Sequence, residues 1–171
     1  MVKYVYSPHY RVDIGPHVFP TVKYDLLRRR LIDESGVPEK HFVEPEPATA
    51  KQILGVHTPR YYAACRDSAL TFDEQHRMEL PWSADLFDAA TRCVGGSIMA
   101  AHLALDFGVG LHIGGGFHHA FADHGEGFCV FNDSACAIRE VQAERRIERA
   151  LVADVDLHQG NGTSAIFTND D

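Results

Sequence analysis

Basic residues are scarce: 16 lysines and arginines stand against 24 aspartates and glutamates in 171 residues, a formal charge of −8. Such a chain has no overall positive field to hold nucleic acid or an anionic membrane surface, so direct binding to either is not expected. Long apolar runs are missing too. The most apolar stretch, residues 93–109, is broken by His102 and Asp106, and no uncharged run reaches membrane-spanning length. Residues 1–10 lack the basic, apolar and cleavage-site regions of a secretory signal. Cysteine is sparse, and Cys65, Cys93, Cys129 and Cys136 fall at no two-residue spacing, which argues against a zinc knuckle or a thioredoxin-like centre. The expectation is of reduced thiols in a cytoplasmic protein.

What is present is an ordinary globular balance, 45% hydrophobic and 23% charged, in a length that suits one domain with one core. Strands are expected at residues 2–7, 41–44, 110–113 and 151–154, and helices at 24–35, 48–56, 59–69, 84–107, 132–149 and 163–167. Residues 71–81 are polar and aperiodic and read as a surface loop. Gly95 and Gly96 interrupt the longest helix, which implies close packing against a neighbour there. Alternation of strands and helices predicts an α/β fold, a parallel sheet with helices on both faces, whose sites lie beyond the carboxyl ends of the strands.

Eleven histidines are many for this length, and histidine is both the commonest metal ligand and the usual proton shuttle. Asp154-Val155-Asp156-Leu157-His158 follows the apolar run 150–153. In an extended chain alternate side chains share a face, so Asp154, Asp156 and His158 are able to converge on a metal ion at the strand end. An acidic strand end satisfied by nearby backbone is the plainer alternative, and by itself the motif leaves the two evenly balanced. Gly114-Gly115-Gly116-Phe117-His118-His119 follows another expected strand. Its glycines let backbone approach a reaction centre, and adjacent histidines supply two proton-transfer groups. Taken alone, such a loop is more often a turn with solvated histidines. In Gly125-Glu126-Gly127-Phe128-Cys129 the aromatic ring walls a narrow tunnel or is simply buried, and in Gln159-Gly160-Asn161-Gly162 the Asn161 amide orients an imidazole or merely opens a helix.

The order of these motifs resembles the histone deacetylase family, and with Tyr6-Ser7-Pro8, residues 56–61 and residues 95–100 the resemblance covers nearly the whole chain. Gln159, Asn161 and the triple glycine resemble class IV and its bacterial relatives. The resemblance implies a three-layer arginase/deacetylase-like fold, incomplete here, with residues 1–171 as the N-terminal part of a single deacetylase catalytic domain. It implies Asp156 and His158 as zinc ligands, His118 and His119 as the catalytic pair, and Asn161 orienting His119 where other branches carry aspartate. Asp154 would pair with His118 and help hold a structural potassium ion. Gly127 and Phe128 would bind substrate, and Cys129 would be a wall residue. The implied reaction is zinc-dependent hydrolysis of the amide of an acylated lysine.

Two family features have no match in these residues: a third zinc ligand, an aspartate, and an oxyanion-stabilising tyrosine, both downstream of the Asp-x-Asp-x-His motif. Asp170 and Asp171 fit neither role. The 171 residues are therefore expected to be inactive or nearly so by themselves. Residues 151–154 are expected to lack their neighbours in the sheet. The alternatives are a deacetylase of small amides such as acetylpolyamines and, from another class, a catalytically dead interaction module.

Overall fold

The computed structural model describes residues 2–170. Its three strands, β1 (Tyr4–Val5), β2 (Phe42–Val43) and β3 (Leu111–His112), form a parallel sheet in the order β2-β1-β3. Around it run α1 (Lys23–Asp33), α2 (Ala50–Leu54), α3 (Pro59–Arg66), α4 (Phe72–Met78), α5 (Ala84–Phe107), α6 (Asp133–Ala143) and α7 (Asn161–Ile166). Tyr4 pairs with Phe42 and Leu111, and Val5 with Val43 and His112. Because side chains alternate across a strand, these two sets lie on opposite faces. On the first face α1 sets the Arg28 guanidinium 5.1 Å from the Phe42 ring centre, and the Tyr6 hydroxyl donates to Asp25 at 2.5 Å. On the second, Ser97 of α5 meets His112 at 2.9 Å and Val5 is fully buried. The α/β layering with helices on both faces follows.

The long helix is framed by its own sequence. Ser83 caps its start by accepting from the Leu86 N–H, and Gly108, at φ +89°, closes it. At its middle, a Cβ on Gly95 would collide with the Glu46 carbonyl oxygen, and one on Gly96 with the His112 ring. The paired glycines, costing about 1 kcal/mol each in helix propensity, allow that close approach. The core gathers Ile53, Tyr61, Cys65, Val94, Phe131 and Cys136 between α2, α3, α5 and α6.

Three segments differ from the sequence expectation. Residues 71–81 contain α4, because Thr71 and Glu74 cap its first turn reciprocally and Met78 is buried. The helix expected over 132–149 ends at Ala143. Arg145 takes φ +58°, its N–H bonding the Gln142 carbonyl at 2.9 Å while Arg146 N–H reaches the Val141 carbonyl at 3.0 Å, a Schellman closure with arginine in the usual glycine place. The strand expected at 151–154 does not form: among the described residues it meets no neighbouring strand, and Leu151 is 92% exposed. Apolar, extended sequence supplies only a tendency; a strand needs a ladder partner. Between this segment and the α6 and α7 helices opens a groove lined by Ile138, Gln142, Val152, Thr163 and Phe167. No helix among the described residues is long and apolar enough to cross a membrane.

Candidate active site

The chain leaves β3 through the glycine run, and a buried carboxylate holds it there. Asp133, 1% exposed at the start of α6, accepts from the backbone N–H of Gly116 at 3.1 Å, from that of Phe117 at 2.7 Å, and from the Ser97 hydroxyl. His112 joins the same network, its Nδ1 at 2.9 Å from Ser97 Oγ and its Nε2 at 2.8 Å from the Tyr10 hydroxyl. Burial pushes the His112 imidazole down to about 4, so it is neutral near pH 7. Beyond the loop, the His118 carbonyl accepts from the Thr163 N–H at 3.0 Å, and the Asn132 amide donates to the Ala120 carbonyl at 3.1 Å and to Thr163 Oγ1 at 2.9 Å. The backbone on both sides of the two histidines is thereby tied to α5, α6 and α7.

The rings of His118 and His119 stand 4.3 Å apart, inclined by 61°. His118 Nδ1 meets Asp154 Oδ2 at 2.6 Å, and His119 Nδ1 meets Asn161 Oδ1 at 2.6 Å. The Asn161 oxygen also accepts from the Gly162 N–H at 3.0 Å, and its amide nitrogen donates to Glu126 Oε1 at 2.7 Å. The Asp154 carboxyl lies below the usual carboxylate range, held first by the Asp156 N–H and then by His118.

Asp156 and His158 are exposed, yet the His158 ring comes to 5.9 Å from that of His119. The three residues expected to converge at a strand end form no metal-holding group of three among the described residues: Asp154 turns to His118, while Asp156 and His158 lie side by side. Asp154 Oδ1 accepts from the Asp156 N–H at 3.0 Å, and Asp156 Oδ1 accepts from the His158 N–H at 2.8 Å. Two successive turns of side chain to backbone, each spanning two residues, replace the strand alternation. The His158 N–H lowers the Asp156 carboxyl below its ordinary range.

Whether this pair suits a zinc ion is a question of donors and spacing. Carboxylate oxygen and imidazole nitrogen are zinc donors, and two ligands at about 2.0 Å in a tetrahedron lie about 3.3 Å apart. Asp156 Oδ1 and His158 Nδ1 are 3.2 Å apart, so they fit as one edge of such a site. Among the described residues no third histidine, cysteine, aspartate or glutamate completes a group with them.

Gly127 and Phe128 form a tight turn closed by the Glu126–Cys129 bridge, with φ of +50° and +67°. Both central residues being left-handed is the requirement of a type I′ turn, and phenylalanine bears it under strain. The strain is held by the Phe128 N–H, which donates to the Met78 carbonyl at 2.9 Å, and by ring contacts to His17 at 5.0 Å and Phe19 at 5.7 Å. A Cβ on Gly127 would lie 2.9 Å from His119 Cδ2, so the turn rests against the His119 side chain and glycine fits there. Beneath Phe117 and Phe128 an apolar pocket is lined by Tyr24, Leu86, Cys93 and Phe131.

All eight residues singled out from sequence, His118, His119, Gly127, Phe128, Asp154, Asp156, His158 and Asn161, gather at one rim, with Phe128 turned toward the 17–19 segment. Two further residues had not been given roles. Asp133 was legible only as part of a helix start, and Glu126 as a residue between two glycines.

Comparison with known proteins gives a consistent picture. The histone deacetylase domain family matches residues 17–171. The chain is 38% identical over 167 residues to an uncharacterized protein of Picosynechococcus, covering 97% of this chain and 56% of that protein. It is 32% identical over 179 residues to histone deacetylase 2 of Arabidopsis thaliana, covering 94% and 44% respectively. The crystal structure of a histone deacetylase homolog from Aquifex aeolicus superposes with a TM-score of 0.78 at 25% identity, covering 97% of this chain and 47% of that one. The chain thus spans about half the length of the relatives it matches.

Proposed function

The chain belongs to the histone deacetylase family, and from that premise we propose that it carries the acid/base half and two ligands of a zinc-dependent deacylase acting on the amide of an acylated lysine. The observation that carries this reading is the meeting of paired imidazoles, each with its own acceptor, with a carboxylate–imidazole pair spaced for a tetrahedral ion. When bound at Asp156 and His158, zinc would supply Lewis-acid polarisation of the acyl oxygen and acidification of water.

The chain's own residues do the rest. His119, its Nδ1 turned to Asn161, has its other nitrogen free to take a proton from water and return it to the leaving lysine amine. His118, fixed on Asp154, places a second imidazole beside it. Phe128 and the Gly127 backbone line the approach of the acyl-lysine side chain, and Cys129, buried with its thiol pushed up to about 12, acts as wall and not as nucleophile. Asp154 would also hold a structural potassium ion with backbone oxygens near Asp156 and His158. Residues 1–171 belong to one catalytic domain on this reading, in a cytoplasmic setting where Cys65, Cys93, Cys129 and Cys136 remain free thiols.

Zinc analysis joined to hydrolysis of an acetyl-lysine peptide tests the proposal, run on this chain beside the protein's longest natural form. Zinc retained by the wild type and lost on replacing Asp156 and His158 by alanine, with hydrolysis in the longer form, is the expected result. A longer form that binds zinc at neither residue and cleaves no acyl amide would overturn it, and leave a non-catalytic interaction module.

A further inference from the structure

Asn161 is held at both ends of its amide. Its oxygen receives the Gly162 N–H, which can only donate, and its nitrogen faces Glu126, whose ionised carboxylate can only accept. The amide therefore has one orientation, with Oδ1 turned to His119 at 2.6 Å. An acceptor there requires the proton of the neutral imidazole to sit on Nδ1, which leaves Nε2 with its lone pair. Glu126 enters from the strained turn that also rests Gly127 on the His119 ring, so one short segment fixes both the plane and the tautomer of that histidine.

We propose that Glu126 is a positioning residue for His119, acting through Asn161, and that asparagine at 161 is matched to it. With aspartate at 161, a second carboxylate would lie where the amide nitrogen now is, about 2.7 Å from Glu126 Oε1. The two anions would force each other apart, which draws the acceptor away from His119, or share a proton, which keeps the geometry only at the cost of protonating a carboxyl; either outcome costs stability that the amide does not. The pair Glu126–Asn161 thus performs together what a lone carboxylate would perform without such a neighbour. The proposal rests on His119 being the proton-transfer group; its test below does not.

Histidine nitrogen NMR on the full, isotope-labelled chain, metal-free and at a pH where histidines are neutral, reads the tautomer directly. Wild type is expected to show a single His119 form with the proton on Nδ1. Glu126→Ala, which frees one end of the amide, is expected to raise the other tautomer's share about tenfold or more, the weight of a hydrogen bond to a charged acceptor. Glu126→Gln keeps an acceptor in place and is expected to restore the wild-type pattern. A cycle of melting temperatures gives a second readout: Asn161→Asp lowers it, and Glu126→Gln added to Asn161→Asp recovers it, because glutamine then donates to the new carboxylate. An unchanged tautomer in Glu126→Ala, or an Asn161→Asp chain as stable with Glu126 as with glutamine, would overturn the proposal. Neither readout depends on hydrolysis, so failure of the deacylase reading leaves this result standing, and the reverse.

Discussion

The two halves of the candidate site are built in opposite ways. The histidine loop is set in a buried polar frame, with Asp133, Ser97, His112 and Asn132 fastening its backbone to three helices. The Asp156–His158 half rides on an exposed segment, with Val155 at 96% and Leu157 at 93% exposure, ordered by turns that reach only two residues ahead. Preorganisation by tertiary hydrogen bonds belongs to His118 and His119, the proposed proton-transfer pair. Asp156 and His158, the proposed metal ligands, have local order, and their segment has one long-range tie, Asp154 to His118.

That contrast is most sharply tested at Asp133. Replacing it by alanine strands the Gly116 and Phe117 N–H groups in the interior and is expected to lower unfolding stability by about 3 kcal/mol or more, read by denaturant titration. A loss under about 1 kcal/mol would show that the frame is decorative.

Acid provides a second test of comparable size. His57 is buried between Tyr61 and Phe131, its Nε2 accepting from the Asn132 N–H at 3.0 Å, and burial pushes it down to about 4. Its Nδ1 has no hydrogen-bond partner, although the nearby Phe121 and Ala122 carbonyls oppose part of the effect. A depressed histidine stays neutral in the folded chain while the unfolded chain takes up a proton. Stability therefore falls as pH drops from about 6.5 towards about 4, by about 3 kcal/mol from this residue. His57→Gln is expected to flatten that slope; a slope unchanged in the variant would place the acid sensitivity elsewhere, His112 being the other imidazole that desolvation pushes down to about 4.

The smallest effect is expected on the exposed half. Asp156→Ala and His158→Ala should change unfolding stability by no more than about 0.5 kcal/mol, since each side chain bonds only within its own turn. A larger loss would mean that this segment supports the fold, and the contrast between the halves would collapse.

Much of the architecture was readable in the amino-acid order. The three strands that form lie inside expected segments, and α5 has the bounds its Ser83 cap and Gly108 stop imply. The helix α4 was missed although Thr71 and Glu74 spell its capping box, because seven residues are too few to display a period. The end of α6 was missed because arginine occupies the left-handed position that glycine usually marks. The strand at 151–154 was over-read, since an apolar run states a preference and not a partner. At the site, the histidines, Asp154, Asp156, His158 and Asn161 stood out by type and spacing, whereas Asp133 and Glu126 carried no local signal of their roles.

The chain's own order settled which groups exist and what lies within a few residues of each: twin imidazoles, an acid–imidazole pair, an amide before a helix, glycines where backbone must come close. Tertiary structure alone chose their partners, joining His119 to Asn161 across 42 positions and Asn161 to Glu126 across 35. The reason lies in the reach of the forces. Turns and caps are decided by neighbours along the backbone, while a hydrogen bond between distant side chains has its geometry only after packed helices have fixed both ends.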